Sequence, residues 1–290
     1  MKKILVLTNL GDLASHAALS AIPLSAKLNT NILLLHSWVT QTALVEYPNS
    51  SWGIDTLLYG ERCKDKLELL TEHLQAEVDD LPDGVHHPSI DWQQEDGSVD
   101  HCASARLKKG DIELIIMGSP AGSSLDHLIL GSDTALVINK ADRPVLVVPA
   151  ERGLEELTKV TFASDFSDGD IAAVHYLTRL GRKFNFHLEI VHVVVFGQDD
   201  SEAIERRKSF ERHVAKFHYP NISYENIYGK NVIERLQRLC RENGSDLLVL
   251  SHDHRSFWNR LFKSTHSSEA LKSQELPVLI IPASLDIINI

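Results

Sequence analysis

Each half of the chain closes on nearly the same segment, RPVLVVPA from Arg143 and LPVLIIPA from Leu276. Pro144 and Pro277 lie 133 positions apart, and the same offset carries Gly118 onto Ser251 and Gly131 onto Ser264. Nearer the start of each half the offset is 156, carrying Asn9 onto Asp165 and His36 onto His192. Two constant offsets that differ by 23 describe a duplicated unit whose first copy holds 23 extra residues in its middle. The duplication restricts the chain to folds that can be built twice. It also lets each functional residue be compared with its own duplicate.

At 290 residues the chain accommodates two domains, each able to bury a core. The natural division is 1–150 and 157–290, joined by the polar segment Glu151 to Glu156. Hydrophobic content of 43% and charged content of 24% are those of a globular protein. No apolar run is long enough for a membrane span. The opening Met1-KKILVLT breaks at Asn9, Gly11 and Asp12, so it reads as a first strand rather than a signal peptide. Three widely spaced cysteines, Cys63, Cys102 and Cys240, suggest a reducing compartment and a cytoplasmic location. A net charge of −11 with no basic stripe argues against nucleic acid as a partner.

Copy one opens with an apolar strand, Ile4 to Thr8, a turn, and a helix carrying Ala14, Ala17, Ala18, Ala21 and Leu24 on one face. Asp12 or Ser15 is the expected cap. A second strand follows from Asn31 to His36, with the continuous apolar character of a strand covered on both faces. Val39 to Tyr59 reads as a long loop, and a charged helix runs from about Thr56 to Val78. Further strands and helices alternate to the closing strand from Pro144, and copy two repeats the order. That alternation predicts right-handed β-α-β units, so each copy is expected to be an α/β domain with a five-stranded parallel, Rossmann-like sheet.

In such sheets ligands sit beyond the carboxyl ends of the strands, where the strand order reverses. Copy one presents Leu7, Thr8 and Asn9 there, with His36, Ser37, Met117 and Gly118. Gly118 is followed by Ala121, Gly122, Gly131 and Ser132. Glycines permit positive φ and let backbone N–H groups approach a phosphate. Ser132 would start a helix whose free N–H groups and dipole favour an anion. A set of ordinary turns gives the same residue pattern, and the glycines alone do not separate the two.

These residues resemble the universal stress protein family. Its ATP-binding members carry G-x2-G-x9-G-[ST] between the fourth strand and the last helix, and an aspartate at the end of the first strand. The resemblance covers both copies and implies two tandem domains of the adenine nucleotide alpha hydrolase type, paired through their last strands as an intramolecular pseudo-dimer. It implies an adenine nucleotide as cofactor, ATP or one with fewer phosphates, in the N-terminal domain of a non-catalytic stress-response protein. The contacting positions would be Leu7, Thr8, Asn9, Ser37, Met117, Gly118, Ala121, Gly122, Gly131, Ser132, Asp133 and Thr134. Copy one departs from the pattern at Ala121, Asn9 and Asp133, the last placing a carboxylate where a polyphosphate would be repelled. Copy two keeps Asp165 but reads Ser251, His254, Ser264 and Thr265 at the phosphate positions, so no ATP is expected there.

Other readings are carried alongside. A slow ATPase or nucleotidyl enzyme would need a metal ligand near Gly131, for which Asp133 and Asp126 are the candidates. His252, His254 and His266 could hold a metal or small molecule, though without a distinctive ligand spacing. His36 and His192 follow the second strand of each copy, which favours a structural hydrogen bond over catalysis. The segment Phe257 to Phe262 is expected to cover the vacant phosphate region of copy two or to pack on copy one, with a protein-partner surface as the alternative. A further homodimer is also compatible with the family. The patterns GxSxG, GxxxxGK[ST] and GxGxxG are absent.

Overall fold

A computed structural model of the chain describes residues 1–39, 52–119, 132–150, 152–154, 156–197, 201–252 and 276–285. Copy one contributes β1 (Lys3–Leu7), α1 (Asp12–Leu28), β2 (Asn31–Trp38), α2 (Trp52–Asp79), β3 (Ile90–Asp96), α3 (Val99–Leu107), β4 (Ile112–Gly118), α4 (Ser132–Lys140) and β5 (Val145–Val148). Copy two follows with β6 (Lys159–Ala163), α5 (Asp168–Phe184), β7 (His187–Val195), α6 (Ser201–Val214), a 3-10 turn (Ala215–Phe217), β8 (Ile222–Gly229), α7 (Val232–Asn243), β9 (Leu247–His252) and β10 (Val278–Pro282). The second half of the loop expected over Val39 to Tyr59 is instead helical, because α2 begins at Trp52. The helix expected near the end of copy two falls outside the described residues.

The ten strands of the described residues form one sheet in the order β3-β2-β1-β4-β5-β10-β9-β6-β7-β8. Within each copy every pairing is parallel, and the order 3-2-1-4-5 repeats. The copies meet where β5 and β10 pair antiparallel, with Val147 opposite Val278 and Leu146 opposite Leu279. The two PVL strands recognised by repetition are therefore the seam. Each supplies the other's missing neighbour, so neither remains an unpaired edge.

Strand alternation sorts the core into two layers. Ile4, Val6, Leu146 and Leu279 face α1, α2, α5 and α6, whereas Leu5, Leu7, Val147 and Val278 face α3, α4 and α7. Both layers run through both copies without a break at the seam. The run Ile32 to Leu35 in β2 is buried along its length, as a parallel strand with helices over both faces must be. Duplication reaches the helix ends as well: α1 and α5 stop at Asn29 and Asn185, in the left-handed region at φ 56° and 59°. Asparagine tolerates that conformation better than most residues with a Cβ, and it terminates a helix there.

Candidate functional site

In copy one the strand order reverses between β1 and β4, whose last paired residues are Leu7 and Met117. Both are buried in the sheet, and Thr8 is buried directly after Leu7. The chain then turns sharply. Thr8 Oγ1 accepts a hydrogen bond from the Leu10 amide at 3.0 Å, and Asn9 Oδ1 accepts one from the Gly11 amide at 3.1 Å. Leu10 sits at φ 62° to make the turn. These bonds deliver the chain into α1 with Gly11 as the N-cap residue, which makes no side-chain cap of its own. The expected caps act otherwise: Asp12 lies inside the first turn, and Ser15 Oγ donates back to the Gly11 carbonyl at 3.3 Å.

Copy two repeats this turn atom for atom. Ser164 Oγ accepts from the Phe166 amide at 2.9 Å, Asp165 Oδ1 accepts from the Ser167 amide at 3.2 Å, and Phe166 lies at φ 60°. Asn9 and Asp165 thus share a local role, in which one side-chain oxygen shapes the turn. That role uses one acceptor of Asn9 and leaves its amide NH2 group, on an exposed residue, for other partners. The two strand-end histidines are equally symmetric. His36 Nδ1 lies 2.9 Å from the Thr8 carbonyl, and His192 Nδ1 lies 2.9 Å from that of Ser164. Each imidazole ties the second strand to the end of the first.

Gly118 has a use that sequence reasoning missed. A Cβ there would lie 2.7 Å from the Leu13 carbonyl oxygen, so the glycine lets α1 approach β4. Its φ is not positive, and the requirement holds without any ligand. Ser37 is half-buried near the end of β2, Thr134 is buried in the first turn of α4, and Asp133 beside it is exposed. Ser132 begins α4 as the glycine motif requires. Ala121, Gly122, Asp126 and Gly131 lie outside the described residues, as do His254, Phe257 to Phe262, Ser264, Thr265 and His266. Among the described residues no three His, Cys, Asp or Glu side chains cluster to hold a metal.

The copies diverge most at the helix that follows this turn. The offset of 156 carries Ala14 onto Asp170, so the second switch point holds a carboxyl group where the first has a methyl group. Asp170 is buried; it accepts from Ser164 Oγ at 2.7 Å and from the Asp165 amide at 3.1 Å, and Ser251 also bonds to it. Ser251 stands where copy one has Gly118. An acid on the apolar face of an amphipathic helix was the available sequence signal, visible once Ala14 and Asp170 are aligned. Burial, and then the neighbouring Asp165 charge, push the Asp170 carboxyl up to about 7.

The sign of the resulting pH dependence follows from proton counting. Between the ordinary carboxylate range and about pH 7, folded Asp170 retains a proton that the unfolded chain has released. Stability therefore falls as pH rises through that window and levels off above it. Asp170→Asn keeps the hydrogen-bonding shape without the ionisation. It should melt like wild type near pH 4 and be more stable by on the order of 2 kcal/mol at pH 8. Thermal melts across this range check it, and parallel curves for the two proteins would contradict it.

The cysteines offer no exposed thiol. All three are buried and free, and burial leads the upward shift of both Cys102 and Cys240, the latter to about 11. Thiols so placed are poor nucleophiles. Among the described residues no helix is long and apolar enough to cross a membrane.

A doubly wound parallel sheet built twice, with one switch point per copy at the end of its first strand, defines a tandem α/β protein. The sequence profile of the universal stress protein family matches residues 1–149 and again residues 156–282. The chain belongs to that family, with two of its domains in tandem. It is similar in structure to a universal stress protein from Archaeoglobus fulgidus DSM 4304, with 16% identity, a TM-score of 0.65, and coverage of 97% of this chain and 96% of that one. A putative universal stress protein from Pseudomonas aeruginosa UCBPP-PA14 gives 17%, 0.55, 97% and 93%. A functionally unknown protein from Pseudomonas aeruginosa PAO1 gives 18%, 0.54, 99% and 94%. At these identities the likeness is one of fold. A search of curated proteins finds none that matches.

Proposed function

We propose that the domain over 1–150 binds an adenine nucleotide, ATP or one with fewer phosphates, in the crevice beyond β1 and β4. The domain over 157–290 binds none in that manner, and the chain acts as a non-catalytic stress-response protein in a reducing compartment. Leu7, Thr8, Asn9, Ser37, Met117 and Gly118 would meet the nucleoside side. Ala121, Gly122, Gly131, Ser132, Asp133 and Thr134 would meet the phosphates. The observation that carries this reading is the contrast at the two switch points. Copy two places Asp170 and Ser251 in hydrogen-bonding contact there, whereas copy one has Ala14 and Gly118 at the same two positions. Helix α4 supports it further, because it starts at Ser132 with its free N–H groups beyond the glycine-bearing segment.

Native mass spectrometry of freshly purified protein should find one adenine nucleotide per chain, absent in Gly131→Val. Recovery of the wild type without nucleotide, and no binding on titration with AMP, ADP or ATP, would defeat the proposal. Asp133 lies in the first turn of α4, where a carboxylate competes with an anionic ligand for the dipole. Asp133→Asn is expected to tighten ATP by about two- to five-fold, and AMP by less. Titration calorimetry with both nucleotides checks that difference. Prolonged incubation with ATP should release no more ADP than a Gly131→Val control does.

A further inference from the structure

Away from the copy-one switch point, beside the starts of β1 and β4, residues of both copies line a cleft of about 480 Å³. Lys2, just before β1, and the C-terminal end of α1 line one side, and one face of α5 lines the other. The charges that line it are Lys2, Arg179, Arg182 and Lys183 against the single carboxylate of Glu113. Four cations to one anion is the reverse of a chain whose net charge is −11. Two of the cations are held in place by carbonyl groups. Lys183 Nζ donates to the Leu28 carbonyl of the other copy at 3.1 Å, and Arg182 donates to the Phe217 carbonyl.

Arg179 is different. It is half-buried, and it makes neither an ion pair nor a hydrogen bond among the described residues. A guanidinium with no direct ion pair among the described residues, beside Arg182 and Lys183, is repelled by both. The positive field is felt by the adjacent His175, whose pKa is lowered first by burial and then by Arg179 and Arg182. Tyr176 also lines the cleft, and its hydroxyl is buried with no hydrogen-bond partner among the described residues. Unpaired polar groups of this kind mark places where a partner is missing.

We propose that this cleft is a binding site for a small, multiply charged anion of the phosphate class, held between Lys2 of copy one and Arg179 of copy two. The size admits a phosphorylated metabolite, since ligand pockets of roughly 300–1,000 Å³ are usual. Arginine's planar fork suits a phosphate oxygen pair better than a lysine does. The site is separate from the switch-point crevice of copy one and independent of whether a nucleotide binds there. A ligand spanning it touches both copies and binds only when they are seated together.

Inorganic pyrophosphate is the probe, titrated calorimetrically into the full chain at low ionic strength. Wild type and Gly131→Val should bind it equally, which separates this cleft from the nucleotide crevice. Arg179→Gln should weaken binding by about tenfold or more, while the exposed control Arg238→Gln leaves it unchanged. Because Arg179 has no partner to lose among the described residues, the ligand-free Arg179→Gln chain should melt at the wild-type temperature or slightly above, so lost binding will not reflect misfolding. The proposal is overturned if wild type fails to bind pyrophosphate, or if Arg179→Gln binds it as tightly. Loss of binding in Gly131→Val alone would assign the anion to the crevice of copy one and equally overturn it.

Discussion

Leu279→Ala should destabilise both halves of the chain together, by about 2–5 kcal/mol. Leu279 is buried on β10, directly opposite buried Leu146 on β5, and both belong to the layer that runs under α1 and α5. Truncation opens a cavity at the middle of a ten-stranded sheet, where backbone pairing on both sides resists collapse. Three of the four tryptophans, Trp38, Trp52 and Trp92, lie in copy one, whereas Leu279 lies in copy two. Tryptophan fluorescence therefore reports mainly the half that was not mutated. It should lose signal at the same shifted midpoint as the far-UV circular dichroism. Leu146→Ala should behave alike, and the double variant should cost less than the two single costs combined, because both enlarge one cavity. A fluorescence midpoint unmoved by Leu279→Ala would mean that the copies fold as independent domains.

The repetition marked the two strands, and the resemblance to the universal stress protein family implied that they pair. Pro144-Val145-Leu146-Val147-Val148 and Pro277-Val278-Leu279-Ile280-Ile281 are apolar at every position after the proline, as strands buried on both faces must be. In the order 3-2-1-4-5 each lies at one margin of its copy, so without the other it would be an edge. Helix and strand order were legible for the same reason, since a parallel sheet writes long apolar runs between amphipathic helices. The start of α2 was not, because Pro48, Asn49, Ser50, Ser51 and Gly53 carry turn chemistry that argues for a loop past the point where the helix has begun.

The candidate site was legible only in outline. Residues at strand ends could be placed from the fold alone, which accounts for Leu7, Thr8, Met117 and Gly118. Their individual roles could not, because they depend on what approaches from other elements. The Gly118 requirement comes from a carbonyl of α1, more than a hundred residues away in sequence. Asn9 shapes a turn by accepting from the Gly11 amide, a function that any Asx residue would serve and that carries no ligand signature. Asp170 was masked by its neighbour: with Asp168 it is one of two acids in the first turn of α5, where acids normally read as dipole compensation at the surface. Alignment with Ala14 flags the position, and its burial among Ser164, Asp165 and Ser251 shows a side chain that fills its own switch point.

Asp111→Ala is expected to cost about 3 kcal/mol, the lower end of the range for breaking a buried ion pair. Arg106 near the end of α3 is 4% exposed and grips Asp111 with both terminal nitrogens, at 2.5 and 2.7 Å. Asp111 immediately precedes β4, and its carbonyl accepts the Lys3 amide at 2.8 Å, so the pair fastens α3 to the start of two central strands. Removing the carboxylate strands a guanidinium whose Nε already lacks a partner among the described residues. The lower end applies because Asp111 is itself 35% exposed, which leaves the orphaned charge a route towards water. The arginine lowers the Asp111 pKa, so the stabilisation is complete above the ordinary carboxylate range and is lost as pH falls through the depressed value. Copy two supports the case for an apolar substitute, since the offset of 133 carries Arg106 onto Leu239, which is buried, and Asp111 onto Gly244. Arg106→Met in the Asp111→Ala background should therefore recover most of the loss. If denaturant melts show the double variant no better than Asp111→Ala, the penalty comes from the strand junction and not from the stranded charge.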